Sequence, residues 1–414
     1  MLKKHNKYAG YLLFSPINHI FVTVLIKICK RMAVSKAKNT TKNVNNEIDI
    51  QEMNAKFPKP KDICKALDEY VIGQEDAKRI LSVAVYNHYK RILANIYNAS
   101  PKEEFSNVTI DKSNLLLCGA TGSGKTFLIK QIARLLGLPC YIADATKLTE
   151  SGYVGDDVES ILVGLLQEAD YDVELAQMGI VALDEIDKVG RRGDNPSITR
   201  DVGGEGVQQG LLKIVEGGVV GVPPKGGRKH PEQPLVYIDT TNILFIGLGA
   251  FDGLDKIVER RLNRKTVGFN QDALDKKEQE ENILSQVISA DLKSFGLIPE
   301  LIGRFPIVTY TNELSKEDLV RILKEPKNAL IKQYQKLLAI DGVDLEFKDN
   351  ALELIAEETL KLKIGARGLR NIMEKVLTNI MYDYCDKYGK KVTVDKKYVS
   401  KILKINDSIK KKAA

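Results

Sequence analysis

The chain has 414 residues, 43% of them hydrophobic and 28% charged. That balance is ordinary for a globular protein of two or three domains, and it excludes a mainly disordered chain, a collagen-like chain and a polytopic membrane protein. Lys and Arg number 62 against 55 Asp and Glu, a formal charge of +7, too mild to argue by itself for nucleic acid.

The amino terminus is basic and acid-poor: Glu47 is its first acidic residue, after nine Lys and Arg. The apolar patch Ile20 to Ile28 is interrupted by Lys27 and falls short of the roughly 20 apolar residues a bilayer takes. Three readings stand: membrane attachment, a transit peptide, or an upstream extension of a reading frame that starts at Met32-Ala33-Val34-Ser35. The last is adopted, with residues 1–57 expected as a disordered basic extension and the protein expected in the cytoplasm, or in an organelle matrix if residues 1–31 are a transit peptide.

Helical spacing then begins at Lys61 to Tyr70 (Ile63, Leu67, Tyr70). A longer helix is predicted over Glu75 to Ile96, with Ile80, Val83, Ala84, Asn87 and Arg91 along one side. Leu115 to Cys118 is a short apolar run ending at a glycine, which reads as a buried parallel strand. Thr126 to Leu136 reads as a helix, Ile180 to Leu183 and Ile243 to Ile246 as two more buried strands. Strands alternating with helices indicate an α/β fold with a parallel sheet. After Thr311 the pattern turns helical: Leu314 to Leu338, Ala351 to Leu360 and Leu369 to Tyr384, with short strands at Leu345 to Phe347 and Lys391 to Val394. The expected organisation is a large domain over 58–311, a smaller, mainly helical domain over 312–402, and a lysine-rich tail over 403–414.

Gly119-Ala120-Thr121-Gly122-Ser123-Gly124-Lys125-Thr126 matches the P-loop pattern between a predicted strand and a predicted helix. Its glycines let backbone N–H groups wrap a phosphate at the positive end of the helix. Lys125 would neutralise the β/γ-phosphates and the Thr126 hydroxyl would hold Mg²⁺. The strand Ile180 to Leu183 delivers Asp184 and Glu185 at its end: Asp184 as the Mg²⁺-associated carboxylate, Glu185 as the group that polarises the attacking water. The reaction class is ATP hydrolysis, and an Asp-Glu pair favours a motor ATPase over a kinase. The five cysteines (Cys29, Cys64, Cys118, Cys140, Cys385) and four histidines are scattered, so no zinc spacing arises and no zinc is expected.

Together with these motifs, Gly152-Tyr153-Val154-Gly155, Arg228-Lys229-His230 and Gly365-Ala366-Arg367-Gly368-Leu369-Arg370 make the chain, from about Pro58 to Tyr384, resemble the ClpX family of AAA+ unfoldases. The resemblance implies a homohexamer with ATP between neighbours. It implies that the chain is itself no peptidase and threads unfolded or tagged proteins through a pore into a ClpP-type peptidase. Arg304 matches an arginine finger reaching the neighbour's γ-phosphate, Arg367 a sensor for the same nucleotide, and Val71-Ile72 an apolar pair beside the adenine. Tyr153 and Val154 match the first pore loop, Arg200 to Gly206 the second, and Arg228, Lys229 and His230 the basic entrance loop. Nucleic acid is not expected as a partner, and a membrane is not favoured.

Two departures stand out. The zinc-binding amino-terminal domain usual in this family has no counterpart here, which puts adaptor docking in doubt. In the peptidase-docking loop, Val267-Gly268-Phe269 takes the place of an Ile- or Leu-Gly-Phe tripeptide. One methylene fewer costs roughly 1 kcal/mol of burial per loop, which several loops binding at once would largely offset. Two other readings compete: the sister unfoldase HslU, which would need a large insertion after the first pore loop, and a DNA-remodelling AAA+ protein, against which the weak charge and the pore aromatic argue.

Overall fold

The computed structural model describes residues 58–97, 103–105, 108–149, 156–190, 204–223, 234–265, 282–384 and 387–403. They fall into two compact units. The first takes in Asp76–Gly119 and Lys125–Thr311; the second takes in Lys65–Glu75, Ala120–Gly124 and the chain from Asn312 on.

The first unit is built on a five-stranded, all-parallel sheet: β1 (Leu115–Cys118), β2 (Cys140–Asp144), β3 (Ile180–Asp184), β4 (Leu244–Gly249) and β5 (Ile307–Tyr310), in the spatial order β2-β3-β4-β1-β5. β1, β3 and β4 are buried on both faces, apart from a half-buried Asp184 at the end of β3. That is why they read as unbroken apolar runs. The two edge strands were not legible in the sequence. Cys140-Tyr141-Ile142-Ala143-Asp144 and Ile307-Val308-Thr309-Tyr310 are only partly buried, so nothing required them to be continuously apolar. The register runs Ala182↔Ile246 between β3 and β4, and Leu116↔Gly247 between β1 and β4. It brings the carboxyl ends of β1 and β3 out on the same edge of the sheet, with β4 between them.

Helices cover this sheet. Apolar side chains of α4 (Ser160–Glu168), among them Leu162 and Leu165, join the same core as Val181, Leu183 and Phe245. The long α2 (Glu75–Tyr97) forms where periodicity placed it, after α1 (Pro60–Asp68), but its buried face is rotated. Val83 is 42% exposed and Asn87 is also outside. Ala77, Leu81, Val85, Tyr89 and Ile92 are buried instead. Ala84 and Arg91 of the expected side are buried too, and the face also includes Lys78 and His88, which a hydropathy stripe passes over. His88 Nε2–H donates to the Asn242 carbonyl at 3.0 Å, Tyr89 Oη–H to the Met178 carbonyl at 2.9 Å, and Arg91 to the Thr241 carbonyl at 3.0 Å. His88, Tyr89 and Arg91 each place one donor on a backbone carbonyl, which lowers the cost of burying them.

In the second unit, helices α9 (Lys316–Lys324), α10 (Leu330–Ile340), α11 (Asp349–Lys361) and α12 (Arg367–Tyr384) enclose a separate apolar core. A parallel strand pair, β6 (Asp344–Phe347) and β7 (Lys391–Val394), lies beside them. The single helix expected over Leu314 to Leu338 is two. Pro326 lacks an N–H and disfavours a helical residue before it. The carbonyls freed at Glu325 and Pro326 accept the Lys332 ammonium at 3.1 and 2.8 Å. Ser315 opens α9 with a capping box to Asp318. No helix among the described residues is long and apolar enough to cross a membrane.

Candidate active site

At the sheet edge, β1 runs into the P-loop and α3 (Lys125–Leu136) leaves it. Gly119 has φ +145°, and a Cβ there would sit 2.1 Å from Thr311 Oγ1, so only glycine lets the chain turn off β1 at this point. Lys125 Nζ donates to the Gly119 carbonyl at 2.5 Å, folding the ammonium back toward the end of β1. Thr126 Oγ1 donates to Asp184 Oδ2 at 2.9 Å. The two residues at α3 and β3, 58 positions apart in sequence, thus form one cluster of hard oxygen ligands, the donor set Mg²⁺ prefers. A Cβ on Gly124 would meet nothing within 4 Å, so the loop faces open space there. The residues present therefore fit a magnesium–nucleotide.

Glu185 follows Asp184, is exposed, and holds a left-handed backbone, φ 58° and ψ 33°. Such a conformation costs a non-glycine residue of order 1 kcal/mol. It turns the chain sharply off the strand right after Asp184. Asp184 Oδ1 accepts the Glu185 N–H at 3.1 Å, holding the turn. Beneath it, buried Asp187 accepts the Phe251 N–H at 3.2 Å and the Lys188 ammonium at 3.1 Å. Burial pushes the Cys118 thiol far above its usual range, against the pull of Lys125, so this residue before the P-loop stays an uncharged core group.

The crest of the loop, Ala120–Gly124, belongs to the second unit and is held there. The Gly122 carbonyl accepts the Ala366 N–H at 3.1 Å, and a Cβ on Gly122 would lie 2.1 Å from the Ile364 carbonyl oxygen. Arg367 follows Ala366 as the first residue of α12 and is exposed. Val71 and Ile72 are buried. Gln74, not singled out from sequence, is buried beside them with φ 61°. Its amide donates to the carbonyls of Asn312 at 2.8 Å and Ser123 at 3.4 Å, and its Oε1 accepts the Asn312 N–H at 2.7 Å. The only signal for it was its place after Gly73. In the first unit, Arg304 caps the short helix α8 (Pro299–Gly303), and its guanidinium is half-exposed and paired with Glu216. A cleft of about 500 Å³ lies elsewhere in that unit, lined by Thr149, Gln209, Lys213 and Val219 among others and by none of the P-loop residues or acidic pair.

Two family models match the chain: an AAA domain (Cdc48 subfamily) over residues 110–308, and the C-terminal, D2-small domain of ClpB protein over 314–394. Among curated relatives, an "ATP-dependent Clp protease ATP-binding subunit ClpX" from Porphyromonas gingivalis is 46% identical, over 98% of each chain. Relatives of the same description from Bacteroides thetaiotaomicron and Treponema denticola are 54% and 52% identical, over 82% and 90% of this chain and 81% and 88% of theirs. The chain belongs to the ClpX family. Its fold is accordingly the AAA+ α/β fold read from the strand–helix pattern. The ClpX-like segments expected to handle substrate and peptidase lie outside the described residues: Tyr153 and Val154, Arg200, Arg228-Lys229-His230, and Val267-Gly268-Phe269. The structure describes what brackets two of them. The strands Leu148–Thr149 and Asp156–Asp157 pair in parallel on either side of the first, and the antiparallel strands Val219–Val222 and Val236–Asp239 flank the basic segment. Among the described residues no His, Cys, Asp and Glu group forms a metal cluster.

Proposed function

We propose that this chain is an ATP-dependent protein unfoldase, the ATP-hydrolysing, non-peptidase subunit of a Clp-type protease, working as a homohexamer that threads unfolded or tagged proteins into a ClpP-type peptidase. The ClpX name carried by relatives at 46% to 54% identity supports this over an HslU-type unfoldase or a DNA-remodelling ATPase. The observation that carries the chemistry is the 2.9 Å bond between Thr126 and Asp184, which joins the P-loop helix to the acidic strand end.

Gly119 to Gly124 offer backbone N–H donors to the phosphates, and Lys125 supplies the cation. Thr126 and Asp184 would hold Mg²⁺, which when bound neutralises charge developing between the β- and γ-phosphates. Glu185, turned off the strand by its left-handed backbone, orients and deprotonates the attacking water. Val71 and Ile72 pack beside the base, Arg367 reads the nucleotide in its own subunit, and Arg304 reaches a neighbour's γ-phosphate. Tyr153 and Val154 grip substrate by packing, Arg200, Arg228, Lys229 and His230 attract its acidic or carboxylate end, and Val267-Gly268-Phe269 docks on the peptidase. The test is ATP-dependent degradation of a tagged folded protein by the purified chain with and without a ClpP-type peptidase. Hydrolysis of ATP without substrate unfolding, or stimulation by single-stranded DNA in place of casein, would overturn the reading.

A further inference from the structure

Arg304 does not hang free at the subunit surface. Its Nε and Nη2 both donate to Glu216 Oε1, at 3.0 and 2.7 Å. A guanidinium carries five N–H donors, so this grip leaves Nη1 and one hydrogen of Nη2 unengaged by Glu216. The arginine is 52% and the glutamate 43% exposed. An ion pair this wet adds little to stability, yet it restricts two long side chains to one geometry.

Glu216 is also misplaced for any purely local purpose. It caps the C-terminus of α5 (Glu205–Val215), the negative end of that helix, where a carboxylate is disfavoured and a cation preferred. A second residue fixes the same arginine from its backbone. Asn114, 2% exposed and immediately before β1, donates its side-chain amide to the Arg304 carbonyl at 2.9 Å and to the Val215 carbonyl at 3.5 Å. Its Oδ1 accepts the Phe245 N–H at 3.2 Å, at β4. The root of the P-loop strand, the end of α5 and the arginine are therefore tied at one point, backbone through Asn114 and guanidinium through Glu216.

We propose that Glu216 is a positioning residue for Arg304: it holds the guanidinium extended, with its remaining N–H donors directed away from its own subunit, ready for an anionic group of a second copy of this chain. This rests on the reading of Arg304 as the cation given in trans. Holding a long cation in its reactive geometry beforehand removes an entropic cost from the transition state, so the loss should fall on turnover and not on nucleotide affinity.

The test uses full-length rings. Glu216→Ala should lower kcat for ATP about tenfold with KM within about twofold, hexamer mass and thermal midpoint holding. Glu216→Gln should recover most of the rate, because its amide oxygen accepts the same two donors. Glu216→Ala placed on Arg304→Ala should add no further loss, since both remove one function. If Arg304→Ala collapses turnover while Glu216→Ala matches the parent, the positioning role is overturned and the trans reading stands. If Arg304→Ala itself leaves turnover intact, the trans reading falls and takes this proposal with it. A drop in melting temperature or ring mass with Glu216→Ala, unrescued by Gln, would assign Glu216 to structure and overturn the proposal.

Discussion

Glu185 and His88 show how much a single side chain's setting decides. Glu185 is exposed and twisted into the left-handed region at the mouth of the site, while the Asp184 carboxylate beside it is bound to Thr126. That division of labour predicts that Glu185→Gln keeps ATP binding and ring assembly while hydrolysis falls by about two or more orders of magnitude; equilibrium nucleotide binding and single-turnover assays check it. His88 is a core residue. Burial first, then Arg91 and Lys112 nearby, lower its pKa from 6.5 to about 3, against the raising effect of its bond to the Asn242 carbonyl. The folded state therefore refuses a proton that the unfolded chain takes up below about 6.5. Between about pH 6.5 and pH 3 the unfolded state binds more protons, so stability should fall as pH drops, with a slope of up to about 1.4 kcal/mol per unit from this one group. In His88→Gln that part of the acid slope should vanish, read as unfolding midpoint against pH. An unchanged slope would mean that His88 titrates normally.

At the scale of elements, the P-loop is a turn whose glycines serve different ends. Gly122 has φ +80° and no room for a Cβ, whereas Gly124 has φ +99° and open space around it. Gly124→Ala should cost only the backbone strain of about 1–2 kcal/mol, together with phosphate affinity. Gly122→Ala should cost clearly more, because the Ile364 carbonyl and the bond to Ala366 must also move. Equal unfolding midpoints for the two variants without nucleotide would contradict this account. The helices tell a similar story. The length of α2 was readable, but which face is buried was not, because Tyr89, His88 and Arg91 each place a donor on the carbonyls of Met178, Asn242 and Thr241, far away in sequence. A hydropathy pattern carries no record of those acceptors.

For the whole molecule, the proposed ring makes two further predictions. Mixing Arg304→Ala subunits with Glu185→Gln subunits should restore hydrolysis that neither has alone. Some interfaces then join an intact Glu185 to an intact neighbouring Arg304. No recovery at any ratio, with mixing confirmed by mass, would count against action in trans. Tyr153→Ala should leave ATP hydrolysis largely intact while unfolding of a stable tagged protein falls sharply, since the loop would lose most of an aromatic contact of about 150–250 Å². An already unfolded substrate should suffer less. Equal loss of hydrolysis, ring mass and unfolding would make Tyr153 a packing residue.

The sequence by itself determined the chemistry-bearing order of the chain: apolar strand, glycine-rich loop, lysine and threonine, then a second apolar strand ending in Asp184 and Glu185. Local rules suffice for that, since a doubly covered strand must be apolar throughout and a phosphate loop must bend where only glycine bends. Tertiary structure alone decided the rest. Edge strands β2 and β5 have one flank open and so leave no continuous apolar mark. Gln74 and Asn114 act through carbonyls 238 and 190 positions away, at Asn312 and Arg304. The partner of Arg304 is Glu216, 88 positions earlier. No periodicity in a chain encodes a pairing at that distance; it exists only once the sheet and its helices have closed around it.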